Sequence, residues 1–138
     1  MKNPIYSCLW FDGNAAEAAD FYLSVFKGSK ITDKNPMVVM LEINHSKFML
    51  LNGGPQFKPT EAVSFVIECD TQVDIDYYWN AITKEGAESM CGWCKDKYGF
   101  WWQVVPSMLG QMIAEKGQRV VDAFLKMKKF DIKTLEEA

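Results

Sequence analysis

The hydrophobic pattern of the first half of the chain is repeated in the second half. A short apolar run, Ile5–Phe11, is followed by a helical pattern that carries Phe21-Tyr22. A second run, Ala62–Cys69, precedes a helical pattern that carries Tyr78-Trp79 at the equivalent place. Apolar residues at three- and four-residue spacing predict helices, and short apolar runs that end in turn residues predict strands. The sequence therefore predicts two similar modules, each of which begins with a strand and a helix.

Three further strands are predicted after the first helix, at 29–33, 38–44 and 47–51, and two clear strands after the second, at 88–94 and 100–105. Asn14 with Glu17 and Thr71 with Asp74 are candidate capping boxes of the two helices. Two short helices are predicted after Pro106. The fold class is thus α+β, with two βαβββ modules (1–54 and 62–106) in one domain, 1–106. A helical tail, 107–138, is expected to pack on the domain or on a second subunit.

Charge and composition exclude several classes of partner. The net charge is −3 and the pI is about 5.2, which disfavours nucleic acid and anionic membranes because both require a basic surface. No apolar run is long enough to span a bilayer, and no signal peptide is recognised. These features predict a soluble cytoplasmic protein that binds neither nucleic acid nor membrane, with its four cysteines as reduced thiols.

Three stretches of the sequence resemble the vicinal oxygen chelate (glyoxalase/bleomycin-resistance) superfamily, in particular its PhnB-like branch. They are 9–15 with Phe21-Tyr22, 51–57 with 60–62, and 91–93 with 95–99 and 102–106. The resemblance implies a curved mixed sheet that forms a cup, with helices on its convex side, and a homodimer. It also implies, for the metal-dependent members, a divalent ion held by His and Glu side chains from the first and last strands of each module.

The metal-ligand positions that the resemblance implies are occupied here by Ile5, Leu50, Ala62 and Gln103. Alkyl groups offer no lone pair, and a single neutral amide is a weak ligand for a divalent cation. We therefore expect no metal and no other cofactor. The only histidine, His45, lies in a predicted turn without three partners, so we expect it to be an exposed turn residue.

The motif Cys91-Gly92-Trp93-Cys94 could be a redox pair or half of a zinc site. It falls in a predicted strand, where residues three apart point to opposite faces, so two unpaired thiols are the better interpretation. Cys91 then shares the face of Trp93 and becomes a candidate pocket thiol. Trp102 is expected in the core under the helices, together with Trp79 and Phe21.

Strand parity predicts the lining of the cup. The expected ligand-binding residues are Ser7, Leu9, Leu50, Asn52, Ser64, Cys91, Trp93, Trp101 and Gln103. Tryptophans with a few neutral hydrogen-bonding groups suit a flat or partly apolar small molecule. The main hypothesis is a metal-free small-molecule-binding protein, and the alternative is an enzyme that acts on a small metabolite. A demethylubiquinone methyltransferase activity is not favoured, because Asn52-Gly53-Gly54-Pro55 is predicted to lead into no helix. The sequence identifies neither the ligand nor a catalytic residue.

Overall fold

The structure, a computed structural model, describes residues 2–138. The chain divides into two compact units, the first ending at Pro59 and the second spanning Thr60–Ala138. Unit 1 contains one helix and a four-stranded mixed sheet in the order β1-β4-β3-β2. Its elements are β1 (Ser7–Phe11), α1 (Ala15–Val25), β2 (Lys30–Lys34), β3 (Val38–Ile43) and β4 (Ser46–Asn52).

Unit 2 repeats this topology, with its sheet in the order β5-β8-β7-β6, and adds three helices. Its elements are β5 (Ser64–Cys69), α2 (Gln72–Thr83), β6 (Ala87–Glu88), β7 (Trp93–Lys95), β8 (Trp101–Pro106), α3 (Leu109–Lys116), α4 (Gln118–Phe124) and α5 (Ile132–Glu137). The predicted α+β class and the two βαβββ modules are confirmed. The strand predicted over 88–94 is wrong as one element, because it is two short strands separated by a turn.

In both units the first strand pairs in parallel with the last, and the two middle pairings are antiparallel. Each helix covers one face of its own sheet. The buried residues of α1 include Tyr22 and Val25, and those of α2 include Trp79 and Ile82. Phe21 was expected in the core but remains partly exposed, because Tyr22 takes the buried position.

The two helices begin in different ways. Thr71 caps α2 as predicted, since its hydroxyl accepts a hydrogen bond from the Asp74 amide at 3.2 Å. Asn14 precedes α1, but its side chain forms no capping bond. The Asn52 side chain replaces it, because Asn52 Oδ1 accepts the Ala15 amide hydrogen at 2.9 Å. The first unit thus caps its helix from the end of its last strand.

A buried carboxylate organises the turn between β7 and β8. Asp96 is 1% exposed, and its two oxygens accept hydrogen bonds from backbone and side-chain donors. Oδ1 accepts the Tyr98 and Phe100 amides at 2.9 and 3.1 Å, and Oδ2 accepts the indole N–H of Trp102 at 2.9 Å. The predicted turn at 95–99 is confirmed, and Trp102 is buried on the helix-covered face as expected.

The C-terminal tail packs within unit 2. The amides of Cys91 and Gly92 donate to the carbonyls of Met127 and Lys128, both at 2.8 Å. The Phe130 ring fills the space where a side chain at residue 92 would lie. Gln72 holds the tail from the other side, because its Nε2 donates to the Phe130 carbonyl and its Oε1 accepts the Ile132 amide.

An ion pair adds to this contact. Lys129 Nζ lies 2.7 Å from Asp76 Oδ1, and Gln72 Nε2 donates to the same oxygen. The hydrogen bonds from Lys129 and then Gln72 lower the pKa of Asp76. No helix within residues 2–138 has both the length and the apolar character needed to cross a membrane.

Candidate functional site

Four of the predicted ligand-binding residues lie together on the face of the unit 2 sheet that α2 does not cover. Ser64, Trp93, Trp101 and Gln103, which we call the face cluster, occupy three adjacent strands. The register pairs Ser64 with Trp101 across β5 and β8, and Trp93 with Gln103 across β7 and β8. All four side chains are partly exposed. The opposite parity holds the buried residues Trp102 and Val104.

The face cluster combines two aromatic rings with a polar pair. The ring centroids of Trp93 and Trp101 are 6.4 Å apart, with an angle of 60° between their planes. Gln103 Nε2 donates to Ser64 Oγ at 2.9 Å. Val66 lies beside Gln103 on β5 and is 55% exposed. Aromatic surface next to a small number of hydrogen-bonding groups is the usual composition of a small-molecule site.

Lys95 was not among the predicted site residues, although it shares the parity of Trp93 on β7. It pairs with Trp101 across the strands, and its Nζ lies 5.7 Å from the centroid of the Trp101 ring. An ammonium group at this distance interacts favourably with the ring face. The sequence signal was available, since Lys95 follows Trp93 by two residues, but a lysine beside a turn is commonly a solvated residue.

Leu9 and Leu50 do not lie on an open face, which corrects their assignment to the ligand site. They pair with each other across β1 and β4 and are 3% and 0% exposed. α1 packs on this side of the sheet, as the bond from Ala15 to Asn52 shows, because Asn52 has the same parity as Leu50. The opposite face of unit 1 carries Cys8, Trp10, Met40 and Met49 in place of the predicted residues.

The cause of this error is a difference of one residue between the two repeats. In unit 1, β1 ends at Phe11 and α1 begins at Ala15, so the connection is 12–14. In unit 2, β5 ends at Cys69 and α2 begins at Gln72, so the connection is 70–71. An offset that aligns the two helices therefore misaligns the strands before them by one residue. Such a shift moves every side chain of a strand to the other face, and it places Leu9 on the wrong side. Leu50 shares the face of Leu9, because the two residues pair across β1 and β4.

Asn52 and Ser7 do not lie on the open face either, contrary to the prediction. The Asn52 amide is used within unit 1, since Oδ1 accepts from Ala15 and Nδ2 donates to the Pro36 carbonyl at 3.1 Å. Ser7 is exposed at the start of β1 and has the parity of Leu9 rather than that of the open face.

Cys91 lies in a turn and not in a strand, so its predicted position beside Trp93 is wrong. Its φ angle is 58° and that of Gly92 is 81°, which are left-handed conformations incompatible with a strand. All four cysteines are free thiols. Burial, with smaller effects of Asp96 and Glu88, raises the pKa of the Cys94 thiol to about 12. Burial, followed by the charges of Asp74 and Asp70, raises the pKa of Cys69 to about 11.

The glycine-rich segment after β4 serves the packing of Trp10. A Cβ atom at Gly53 would lie 2.3 Å from the Trp10 ring, and the Gly54 carbonyl accepts the Trp10 indole N–H at 2.8 Å. The Phe57 ring contacts Trp10 edge-on at 4.9 Å. Residues 53–63 contain no helix, so this segment does not form the strand-to-helix glycine loop that cradles S-adenosylmethionine in the common methyltransferase fold.

The residues predicted at the metal positions of the superfamily do not form a set of donors, and Leu50 was assigned to the wrong side of its strand. Ile5 is 85% exposed ahead of β1, Ala62 precedes β5, and Leu50 is in the core. Only Gln103 reaches an open face, where its hydrogen-bond partner is Ser64. Within residues 2–138, no three His, Cys, Asp or Glu side chains are grouped closely enough to hold a metal ion. His45 lies in the β3–β4 turn with a φ of 72°, as an exposed residue.

Two repeats of βαβββ topology define the chain as a member of the vicinal oxygen chelate superfamily, and solved structures agree. A PhnB protein from Bacillus cereus, described as a putative 3-demethylubiquinone-9 3-methyltransferase, is 28% identical, with a TM-score of 0.66 over 75% of this chain and 99% of that one. The sequence family described as 3-demethylubiquinone-9 3-methyltransferase matches residues 3–105, and the chain belongs to this family.

More distant structures share the fold alone. Protein PA1353 from Pseudomonas aeruginosa is 19% identical, with a TM-score of 0.63 over 76% of this chain and 98% of that one. The fosfomycin resistance protein FosX from Listeria monocytogenes, solved with Mn(II) and sulfate, is 9% identical, with a TM-score of 0.64 over 84% and 98% of the two chains. No curated protein sequence matches the chain.

Proposed function

We propose that the chain is a metal-free small-molecule-binding protein of the PhnB-like type, and that its ligand binds on the open face of the unit 2 sheet. The observation that carries this proposal is the face cluster itself. Two tryptophan rings lie 6.4 Å apart, next to a hydrogen-bonded Gln103–Ser64 pair, on a face that α2 leaves uncovered. Partly exposed tryptophans cost free energy in water, and a flat ligand that covers them recovers it.

The composition of the face favours binding over catalysis. Gln103 and Ser64 are neutral, and an amide both donates and accepts hydrogen bonds without transferring a proton at neutral pH. General acid–base chemistry uses a group that titrates near the working pH. The proposal of a metal-free site is supported by the donors of the face itself, because Gln103 is a single neutral amide and no three His, Cys, Asp or Glu side chains within residues 2–138 are grouped closely enough to hold a metal ion.

Ligand binding can be measured by the quenching of tryptophan fluorescence when flat aromatic compounds are added. We expect Trp101→Ala to lose most of the response and Trp10→Ala, on the other unit, to retain it. Quenching that is unchanged in Trp101→Ala would contradict the proposed position of the ligand.

The metal-free part of the proposal has a separate test. Elemental analysis of the purified protein should find no stoichiometric zinc, nickel or manganese. About one equivalent of any of these metals per chain, retained after dialysis without chelator, would refute it.

The family description favours a second candidate, an enzyme that acts on a small metabolite. If the chain transfers methyl groups, it must bind S-adenosylmethionine, and calorimetry can measure this directly. We expect no binding, because the three strand-to-helix connections, 12–14, 70–71 and 107–108, contain only one glycine among them. Turnover that depends on Cys91 would instead be lost in Cys91→Ser, whereas binding to the face cluster should persist.

We also propose that the protein is a cytoplasmic homodimer, as expected from the resemblance to its superfamily. Light scattering coupled to size-exclusion chromatography distinguishes a dimer from a monomer of 15.8 kDa.

A further inference from the structure

Lys95 places a positive charge at the border of the face cluster. It lies on β7, directly across from Trp101 on β8. Within the part of the chain that the structure describes, Lys95 forms no ion pair. The acidic residue Glu68 has the parity of this face but belongs to β5, which is two strand spacings, or about 10 Å, away. A ligand with an anionic group could therefore approach Lys95 without competing with a carboxylate of the protein.

The Gln103–Ser64 pair offers one donor and one acceptor to a ligand. Gln103 uses Nε2 to donate to Ser64 Oγ, which leaves its carbonyl oxygen as an acceptor. Ser64 accepts this bond and retains its own hydroxyl hydrogen as a donor. Neither side chain has another hydrogen-bond partner among residues 2–138. A ligand edge with an N–H next to a C=O satisfies both groups at once.

We propose that the face cluster selects a flat heteroaromatic lactam that carries a carboxylate. The ring lies against Trp93 and Trp101, the lactam edge pairs with Gln103 and Ser64, and the carboxylate points to Lys95. This inference rests on the proposed function, because it names the class of ligand for the same face. The ring supplies the area of contact, and the two polar contacts set its orientation.

The test uses isothermal titration calorimetry on the full chain with 2-quinolone-4-carboxylate as the probe. Three reference compounds each lack one feature or more: 2-quinolone lacks the carboxylate, 1-methyl-2-quinolone-4-carboxylate lacks the N–H donor, and quinoline lacks both the lactam and the carboxylate. We expect the probe to bind about fivefold more tightly than 2-quinolone at low salt, as for an exposed ion pair. We expect it to bind about tenfold more tightly than the methylated compound, because that compound leaves an acceptor unpaired.

Two variants assign the preferences to residues. Lys95→Gln should erase the preference for the carboxylate and keep that for the lactam, whereas Gln103→Leu should do the opposite. Lys97→Gln is the control, because Lys97 lies in the next turn and pairs with Glu85 at 3.2 Å. A circular dichroism melt of each variant establishes that it is folded.

The outcomes separate the two proposals. If quinoline binding requires Trp101 but 2-quinolone-4-carboxylate binds no more tightly than the reference compounds, the ligand class is wrong and the proposed function stands. If the preferences persist in Lys95→Gln or Gln103→Leu, the assignment to these residues is wrong. If none of the four compounds binds, both the ligand class and the proposed position of the site are overturned.

Discussion

Asp96 shows how one side chain can link a turn to a core. Its carboxylate accepts two amides of the turn and the indole N–H of Trp102, so it joins the β7–β8 connection to the helix-covered face. The alternation along β8 then places Trp101 and Gln103 on the open face. The residue that positions the face cluster is thus on the opposite side of the sheet.

We expect Asp96→Ala to lower the free energy of unfolding by about 3 kcal/mol, because three donors in and beside the core would lose their acceptor. Urea denaturation monitored by fluorescence measures this change. Asp122→Ala is the control, since Asp122 is exposed and its single hydrogen bond within residues 2–138 comes from Gln118 on the same helix. A loss below about 1 kcal/mol in Asp96→Ala, a typical value for one ordinary hydrogen bond, would show that the turn does not depend on this carboxylate.

The sequence predicted the turn at 95–99 but not the burial of Asp96. An aspartate between two lysines is usually solvated, and no local pattern shows that its acceptor faces Trp102. The hydrogen-bond partners of Cys91 were hidden for the same reason. The position of Cys91 required knowledge of the tail, whose backbone carbonyls accept hydrogen bonds from a turn much earlier in the chain.

Among the elements, the tail and α2 form one connected assembly. Gln72, in the first turn of α2, bonds to the backbone on both sides of residue 131, and the tail in turn bonds to the turn before β7. β7 carries Trp93 and Lys95. The tail therefore supports one border of the face cluster from behind, through the Cys91-Gly92 turn.

Gln72→Ala should loosen the tail, with a loss of about 2 kcal/mol in local stability from two hydrogen bonds to its backbone. Hydrogen exchange should become about 30-fold faster at the Ile132 amide, and faster at the Cys91 and Gly92 amides. Gln118→Ala is the matched control, because it loses only one exposed side-chain bond. If exchange at Ile132 is equal in the two variants, Gln72 does not hold the tail.

The elements were predicted better than their faces. The hydrophobic period, which is a local property, predicts α1 and α2, most of their buried residues and the succession of strands along the chain. Which face of the first strand of a unit is buried depends on the length of the loop that joins this strand to the helix. For Trp101 and Gln103 the predicted parity is the observed one. For Leu9 one additional loop residue reverses it, and Leu50 is on the same face as Leu9.

At the scale of the whole molecule, the buried thiols make the free energy of unfolding depend on pH. Cys94 and Cys69 ionise near pH 9 in the unfolded chain but only near about 12 and 11 in the native state. Above pH 9 the unfolded state releases protons that the native state keeps. The free energy of unfolding must therefore fall as the pH rises through this window, and it is unaffected by these thiols below pH 9.

We expect a slope of at most about 1.4 kcal/mol per pH unit for each thiol. Urea denaturation at pH 8 and pH 10 provides the measurement. Cys94→Ala should flatten the decline more than Cys8→Ala, because Cys94 is fully buried whereas Cys8, whose pKa partial burial also raises, is largely exposed. An identical decline in the two variants would show that Cys94 does not contribute.

Family membership and fold could be recognised from the sequence, while the ligand could not. The motifs of the superfamily lie in turns and strand ends, which the sequence displays directly. The ligand depends on the side chains that share one face, and here that face carries Lys95, which no motif marks.

The longer connection in unit 1 has a consequence for the evolutionary reading of the repeat. Unit 1 has one residue more than unit 2 between its first strand and its helix. The offset that matches the helices of the two halves therefore differs by one residue from the offset that matches their first strands. An alignment of the halves therefore needs a gap at residues 12–14, and a chimera that joins a strand of one half to the helix of the other must include the matching loop. Without it, the transplanted strand would turn its core residues to water.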